Sequence, residues 1–175
     1  MKDIQDYLEK EQVDQMLEAA IECNTRDYLM VRVLWRTGMR ISELLNMKSR
    51  DIEFNNHVIN ITRAKGGKQR RIPLDSQTLL LLSSYISAQS IHENRPIFDI
   101  TRQHANRIVK KYGKIAGLNV HPHTLRHSFA IHLVRSGVDL RRIQLLLGHS
   151  DLNITQVYLQ FKDTDIKEAY DRVEF

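Results

Sequence analysis

The sequence predicts an α+β domain, mainly α-helical, with one small, peripheral, three-stranded antiparallel sheet. Apolar residues recur at helical spacing over most of the chain, while β-rich runs set between turn clusters are confined to residues 51–74. The length of 175 residues, with 42% hydrophobic and 27% charged side chains, suits one soluble globular domain.

Lys10 to Ala20 is an amphipathic helix, with Val13, Met16, Leu17 and Ala20 on one face. Arg26 to Thr37 is a second, carrying Leu29 and Val33 and stopped by Gly38. A short helix follows from Ile41 to Met47, with Ser42 as its expected cap. The pattern then changes. Asp51-Ile-Glu-Phe and Val58-Ile-Asn-Ile are short strands separated by Asn55-Asn56-His57. Lys65-Gly66-Gly67-Lys68 is a second turn, leading to the strand Arg70-Arg71-Ile72-Pro73-Leu74. Helices resume at Ser76–Ser90, with Leu79, Leu82, Tyr85 and Ile86 on one face, and at Thr101–Ala116. The next helix, His123–Ser136, is opened by Pro122 and closed by Gly137. Asp139 caps another through Leu147, which Gly148 stops, and two short helices, Asn153–Tyr158 and Asp163–Tyr170, complete the chain.

Composition excludes several classes. With 7 Gly and 3 Pro the chain is neither collagen-like nor of low complexity. A single cysteine, Cys23, leaves no internal disulfide framework and no multi-cysteine zinc site. No apolar run approaches the roughly 18 residues of a membrane span. Met1–Lys10 holds three acids and no apolar core, unlike a signal peptide. These features predict a cytoplasmic protein.

The net charge of +5 is unevenly spread. Residues 1–22 hold two basic and seven acidic side chains, residues 161–175 hold three and five, and the middle holds 21 and nine. One acid-free stretch contains Arg63, Lys65, Lys68, Arg70 and Arg71; another contains Arg102, Arg107, Lys110, Lys111 and Lys114. A basic body between acidic ends suits a polyanion, with nucleic acid first. The competing reading of each stretch is a solvated surface.

Four segments concentrate reactive groups. In Thr37-Gly38-Met39-Arg40-Ile41-Ser42-Glu43-Leu44, a glycine turn delivers an arginine to a helix start, where its fork and the helix N–H groups favour phosphate; the alternative is an ordinary Arg40/Glu43 ion pair. In the Lys65 hairpin, a lysine at a glycine turn can reach a leaving oxygen, or simply be solvated. In His121-Pro122-His123-Thr124-Leu125-Arg126-His127, His123 and Arg126 share a helical face as proton shuttle and phosphate clamp. His123 and His127 also have metal-ligand spacing, but Thr124 stands where the zinc-protease motif has its glutamate. Finally, Leu147-Gly148-His149-Ser150-Asp151 exposes a histidine past a helix stop, with Tyr158 nine residues later. A tyrosine hydroxyl becomes a nucleophile where cations stabilise its anion; otherwise the ring anchors a core edge.

In this order the motifs resemble the catalytic domain of the tyrosine recombinases, the phage-integrase family, and among them the Xer-like members. The likeness extends from about Leu8 to Tyr158, with Thr-Gly-Met-Arg-Ile-Ser-Glu-Leu and Leu-Gly-His-Ser-Asp its longest specific segments. The resemblance implies the DNA breaking-rejoining fold. It implies Arg40, Lys65, His123, Arg126, His149 and the nucleophile Tyr158 as catalytic residues, with Glu43 supporting Arg40. Lys65 is preferred to Lys68 because it precedes the glycines, as the family's lysine does. The implied reaction cleaves and rejoins DNA through a 3′-phosphotyrosine, with no cofactor, ATP or metal. The expected partners are double-stranded DNA and further copies of the chain, assembled through the C-terminal helix. Arg63, Lys68, Arg70, Arg71, Arg102, Arg107, Lys110 and Lys111 are the expected DNA contacts. Residues 1–175 are expected to form the catalytic domain alone, without the family's usual N-terminal core-binding domain. Two rival classes are a DNA-binding module without activity and a metal-dependent hydrolase built on His121, His123 and His127.

Overall fold

Lys10–Cys23 (α1) begins with a reciprocal cap: the Glu9 backbone N–H donates to Gln12 Oε1 at 2.8 Å, and the Glu9 side chain accepts from the Gln12 N–H. Its apolar stripe, Val13, Met16, Leu17 and Ala20, is buried as its spacing predicts, and the helix continues three residues past the expected end. Here the protein is a computed structural model, which describes residues 7–62 and 69–148. The Lys65-Gly66-Gly67-Lys68 turn, the two last expected helices, and Arg63, Lys65, Lys68, His149 and Tyr158 lie outside the described residues.

Thr25–Thr37 (α2) is capped by Asn24, whose side chain accepts from the Asp27 N–H at 3.1 Å. It is buried nearly all round because α1, a short helix Ile41–Asn46 (α3), Ser76–Ala88 (α4) and Pro122–Arg135 (α6) all pack on it. Arg102–Ile115 (α5) closes over α1 and α3, and Leu140–Leu147 (α7) packs on α6. Asp75, Thr101 and Asp139 cap α4, α5 and α7 by accepting from backbone N–H groups three residues on. Ser42 does not cap α3. That place belongs to Arg40, because Glu43 reaches back to the Arg40 N–H, and Ser42 is exposed one residue inside the helix.

The sheet consists of Ile52–Glu53 (β1), Val58–Ile61 (β2) and Arg70–Pro73 (β3), antiparallel in sequential order. Ile52 faces Ile59, and Ile59 faces Ile72, so one face of the sheet enters the core. A satellite cluster of Ala130, Ile143 and Leu147 seats α7 on α6. No helix among the described residues is long and apolar enough to cross a membrane.

Candidate active site

Arg40 owes its position to Gly38. The chain leaves α2 with Gly38 at φ +59°, a left-handed conformation that costs a residue with a Cβ about 1 kcal/mol or more. Space imposes the same choice. A Cβ on Gly38 would overlap the Phe129 ring and stand 2.9 Å from Leu147 Cδ2. After this tight reversal Arg40 begins α3, its N–H donating to Glu43 Oε2 at 2.8 Å and its Nη1 lying 3.4 Å from Glu43 Oε1.

Arg126 projects from the first turns of α6, the helix opened by Pro122. Its side chain is buried. Nη1 donates to Gly38 O at 2.6 Å and Nη2 to Leu147 O at 2.8 Å, so one guanidinium joins the ends of α2 and α7. His123, one turn earlier, is exposed. Arg40, His123 and Arg126 line one cavity of about 250 Å³, together with Ser42, His121, and Arg102 and Asn106 from α5. Three of the expected catalytic residues thus converge, although they come from two helices some 80 residues apart, and Arg102, expected as a DNA contact, joins them. Of the polar members of the cavity wall, Ser42, Asn106 and His121 were not selected for this role, Ser42 having been read only as a helix cap. Asn106 follows Arg102 at i+4 and could have been found by that spacing; His121 was singled out only as a metal ligand.

Glu43 is the hub beneath this wall. The Arg70 fork grips it with Nη1 at 2.9 Å from Oε1 and Nη2 at 2.7 Å from Oε2, and both side chains are almost wholly buried. Arg70 Nε donates to Leu146 O at 2.7 Å. The expectation that Arg70 contacts DNA is therefore corrected: its fork is occupied inside the protein. Strand alternation puts Arg70 on the face of Ile72 and Arg71 on the other, but only the packing of that face decides that Arg70 meets a carboxylate rather than a phosphate. Burial raises the Glu43 pKa, but the Arg70 hydrogen bonds, the Arg40 N–H and the two arginine charges outweigh it and hold the carboxyl below its ordinary value.

A carboxylate with a depressed folded pKa stabilises the fold above its unfolded pKa, and that contribution is lost as pH falls through the folded value. Wild-type stability should therefore decline below the ordinary glutamate value of 4.5 more steeply than that of Glu43→Gln. At neutral pH, Glu43→Gln should cost about 3 kcal/mol, because it leaves a buried guanidinium without its counter-charge. Thermal melts of both proteins between pH 3 and 7 provide the check; parallel curves would refute the assignment.

The buried face of α5 is Ala105, Ile108, Val109, Tyr112 and Gly113, which leaves Arg102, Arg107, Lys110 and Lys111 exposed on the other. Lys111 also lies over the Tyr112 ring, its Nζ 4.7 Å from the centroid. Arg71 is exposed and paired with Glu53 at 2.8 Å. Among the described residues no group of three or more His, Cys, Asp or Glu side chains is gathered as a metal site, so His121, His123 and His127 do not form one.

A family model for the phage integrase family matches residues 6–164. The chain is 37% identical to "Tyrosine recombinase XerA" of Pyrococcus furiosus over 94% of its length and 60% of the relative's. It is 35% identical to "Tyrosine recombinase XerD" of Staphylococcus epidermidis, over 97% of this chain and 62% of that one. The crystal structure of XerA recombinase superposes with a TM-score of 0.80 at 33% identity, covering 97% of this chain and 66% of that one. XerH site-specific recombinase bound to its difH substrate, in a pre-cleavage complex, gives a TM-score of 0.80 at 27% identity, covering 99% and 56%. The chain thus spans about 60% of the length of the curated relatives it matches. With a family model covering nearly the whole chain and the Arg40, His123 and Arg126 motifs meeting at one cavity, this protein belongs to the phage integrase family.

Proposed function

We propose that residues 1–175 form the catalytic domain of a tyrosine-type site-specific recombinase, which cleaves and rejoins double-stranded DNA through a 3′-phosphotyrosine. The observation that carries this reading is the meeting of Arg40, His123 and Arg126 at one cavity beside the exposed basic residues of α5. The relatives named as recombinases, one of them bound to its DNA substrate, support it.

In this reading the scissile phosphate enters the cavity. Tyr158 Oη attacks phosphorus, the bond to the 5′-oxygen breaks, and Lys65 gives that oxygen its proton. His123 takes the tyrosine proton. Arg40, Arg126 and His149 hold the non-bridging oxygens as their charge grows. The ester keeps the bond energy for rejoining, so the residues supply the whole reaction without ATP or metal. Arg63, Lys68, Arg71, Arg102, Arg107, Lys110 and Lys111 would contact the DNA backbone, where charge sets position and salt dependence. Copies of the chain would assemble on paired sites through the C-terminal helix, working at the cytoplasmic nucleoid.

To test this, duplexes bound by the protein would be selected from a random-sequence pool, then rebuilt with a nick beside the cleavage position so that rejoining fails. The expected result is a covalent protein–DNA band on a denaturing gel, formed equally in chelator. Specific binding with no adduct would instead establish a DNA-binding module. Adduct formation lost in chelator and restored by zinc would reverse the metal-free reading.

A further inference from the structure

We infer that Arg70 is a positioning residue for DNA cleavage, locking Arg40 and the end of α7 to one another through the buried carboxylate of Glu43. The inference rests on the proposed function. It goes beyond it by assigning a task to a group that the reaction itself does not touch.

The geometry singles Arg70 out. It stands at the start of β3, which pairs with β2 alone among the described residues. Its two Nη atoms hold both oxygens of Glu43, and that carboxylate in turn receives the Arg40 N–H at 2.8 Å. The third donor, Nε, reaches Leu146 O, and a Cβ on Gly148 would stand 3.2 Å from Arg70 Nη1. The guanidinium therefore fills the space under the last turn of α7. Arg126 accounts for the adjacent Leu147 carbonyl from the other side. Two arginines thus satisfy carbonyls that a helix end leaves without intrahelical donors. One of these arginines lines the cavity, and the other lies behind it.

A lysine cannot reproduce this. Its ammonium is a point charge that can neutralise Glu43, but it lacks the planar fork that grips two oxygens while a third donor reaches Leu146. Glu43 would then keep its counter-charge but lose its fixed orientation, and Arg40 would lose orientation with it. Displacement of a catalytic group by about 1 Å is enough to lower a rate on the order of 100-fold.

The test compares wild-type protein with Arg70→Lys, both as the full chain, on the nicked duplex. Arg70→Lys should bind that duplex with unchanged Kd and unchanged salt dependence, while single-turnover adduct formation at saturating DNA falls roughly 10–100-fold. In the DNA-free protein, the Arg40 Nε–H signal of ¹⁵N-arginine-labelled chain should broaden. Weaker binding with a salt slope shallower by about one, and an unchanged rate at saturation, would make Arg70 a phosphate contact and overturn the inference. An unchanged rate with an unchanged Arg40 signal would reduce Arg70 to support of the fold, which also overturns it. If Arg70→Lys does not fold, the pair Arg70→Gln with Glu43→Gln removes both buried charges, and is compared with Glu43→Gln alone. Should wild-type protein form no adduct, the proposed function fails, while the Arg40 signal still decides the positioning role.

Discussion

Tyr158→Phe should abolish covalent attachment to DNA, lowering adduct formation by about 10⁴-fold or more while DNA binding is retained. The substitution removes one oxygen, and that oxygen is the atom proposed to bond phosphorus. A nicked duplex scored on a denaturing gel reads the adduct, and a gel-shift on the same duplex reads binding. Adduct at the normal rate would show that another tyrosine attacks. Tyr112 is ill suited to that task. It is fully buried, its hydroxyl donates to Asp27 Oδ2 at 3.2 Å, and burial together with the Asp27 charge pushes its pKa up. The phenolate it would need is thus strongly disfavoured, which leaves Tyr170 as the next residue to test.

Gly38→Ala should be the most damaging single-methyl change on the cavity side of the fold. Two penalties act together. The left-handed backbone at φ +59° disfavours any Cβ, and the added methyl would overlap the Phe129 ring and press on Leu147. Overpacking in a closed site costs about 1–3 kcal/mol and the backbone about 1–2 more, for a loss of roughly 2–5 kcal/mol. For a chain of this size that lowers Tm by about 5–15 °C. Cleavage should fall as well, because the Gly38 carbonyl holds Arg126 and Arg40 is two residues away. A melt within a degree or two of wild type would show that Phe129 and Leu147 yield easily and that the turn is not the constraint it is taken to be.

What was legible in the sequence follows from what acts locally. Each described α-helix was predicted in place, since a 3.6-residue apolar period and a capping side chain act within a few residues of one another, whereas the short 3-10 helices Ser49–Asp51 and Phe54–Asn56, which have no such period, were not. The sheet and its strand order were legible for the same reason, through strand alternation between turn clusters, but the expected strand Asp51–Phe54 is reduced to Ile52–Glu53 because Asp51 and Phe54 belong to 3-10 helices on either side. The motifs around Arg40, His123 and Arg126 were also visible, because their spacing along a turn and a helix is itself local. Three things were decided only in three dimensions. Ser42 lost the cap to Arg40 because Glu43, already pinned by Arg70, was placed to receive the Arg40 N–H. The cavity gained Asn106 and His121 because α5 and the start of α6 meet at α3. And Arg70, which reads in the sequence as one more cation in a basic run, turns inward. Whether an arginine meets phosphate or carboxylate depends on which charge the fold brings within hydrogen-bonding distance. For Arg70 that charge is 27 residues away on another element, and a buried guanidinium is tolerated there only because Glu43 and the Leu146 carbonyl together satisfy it.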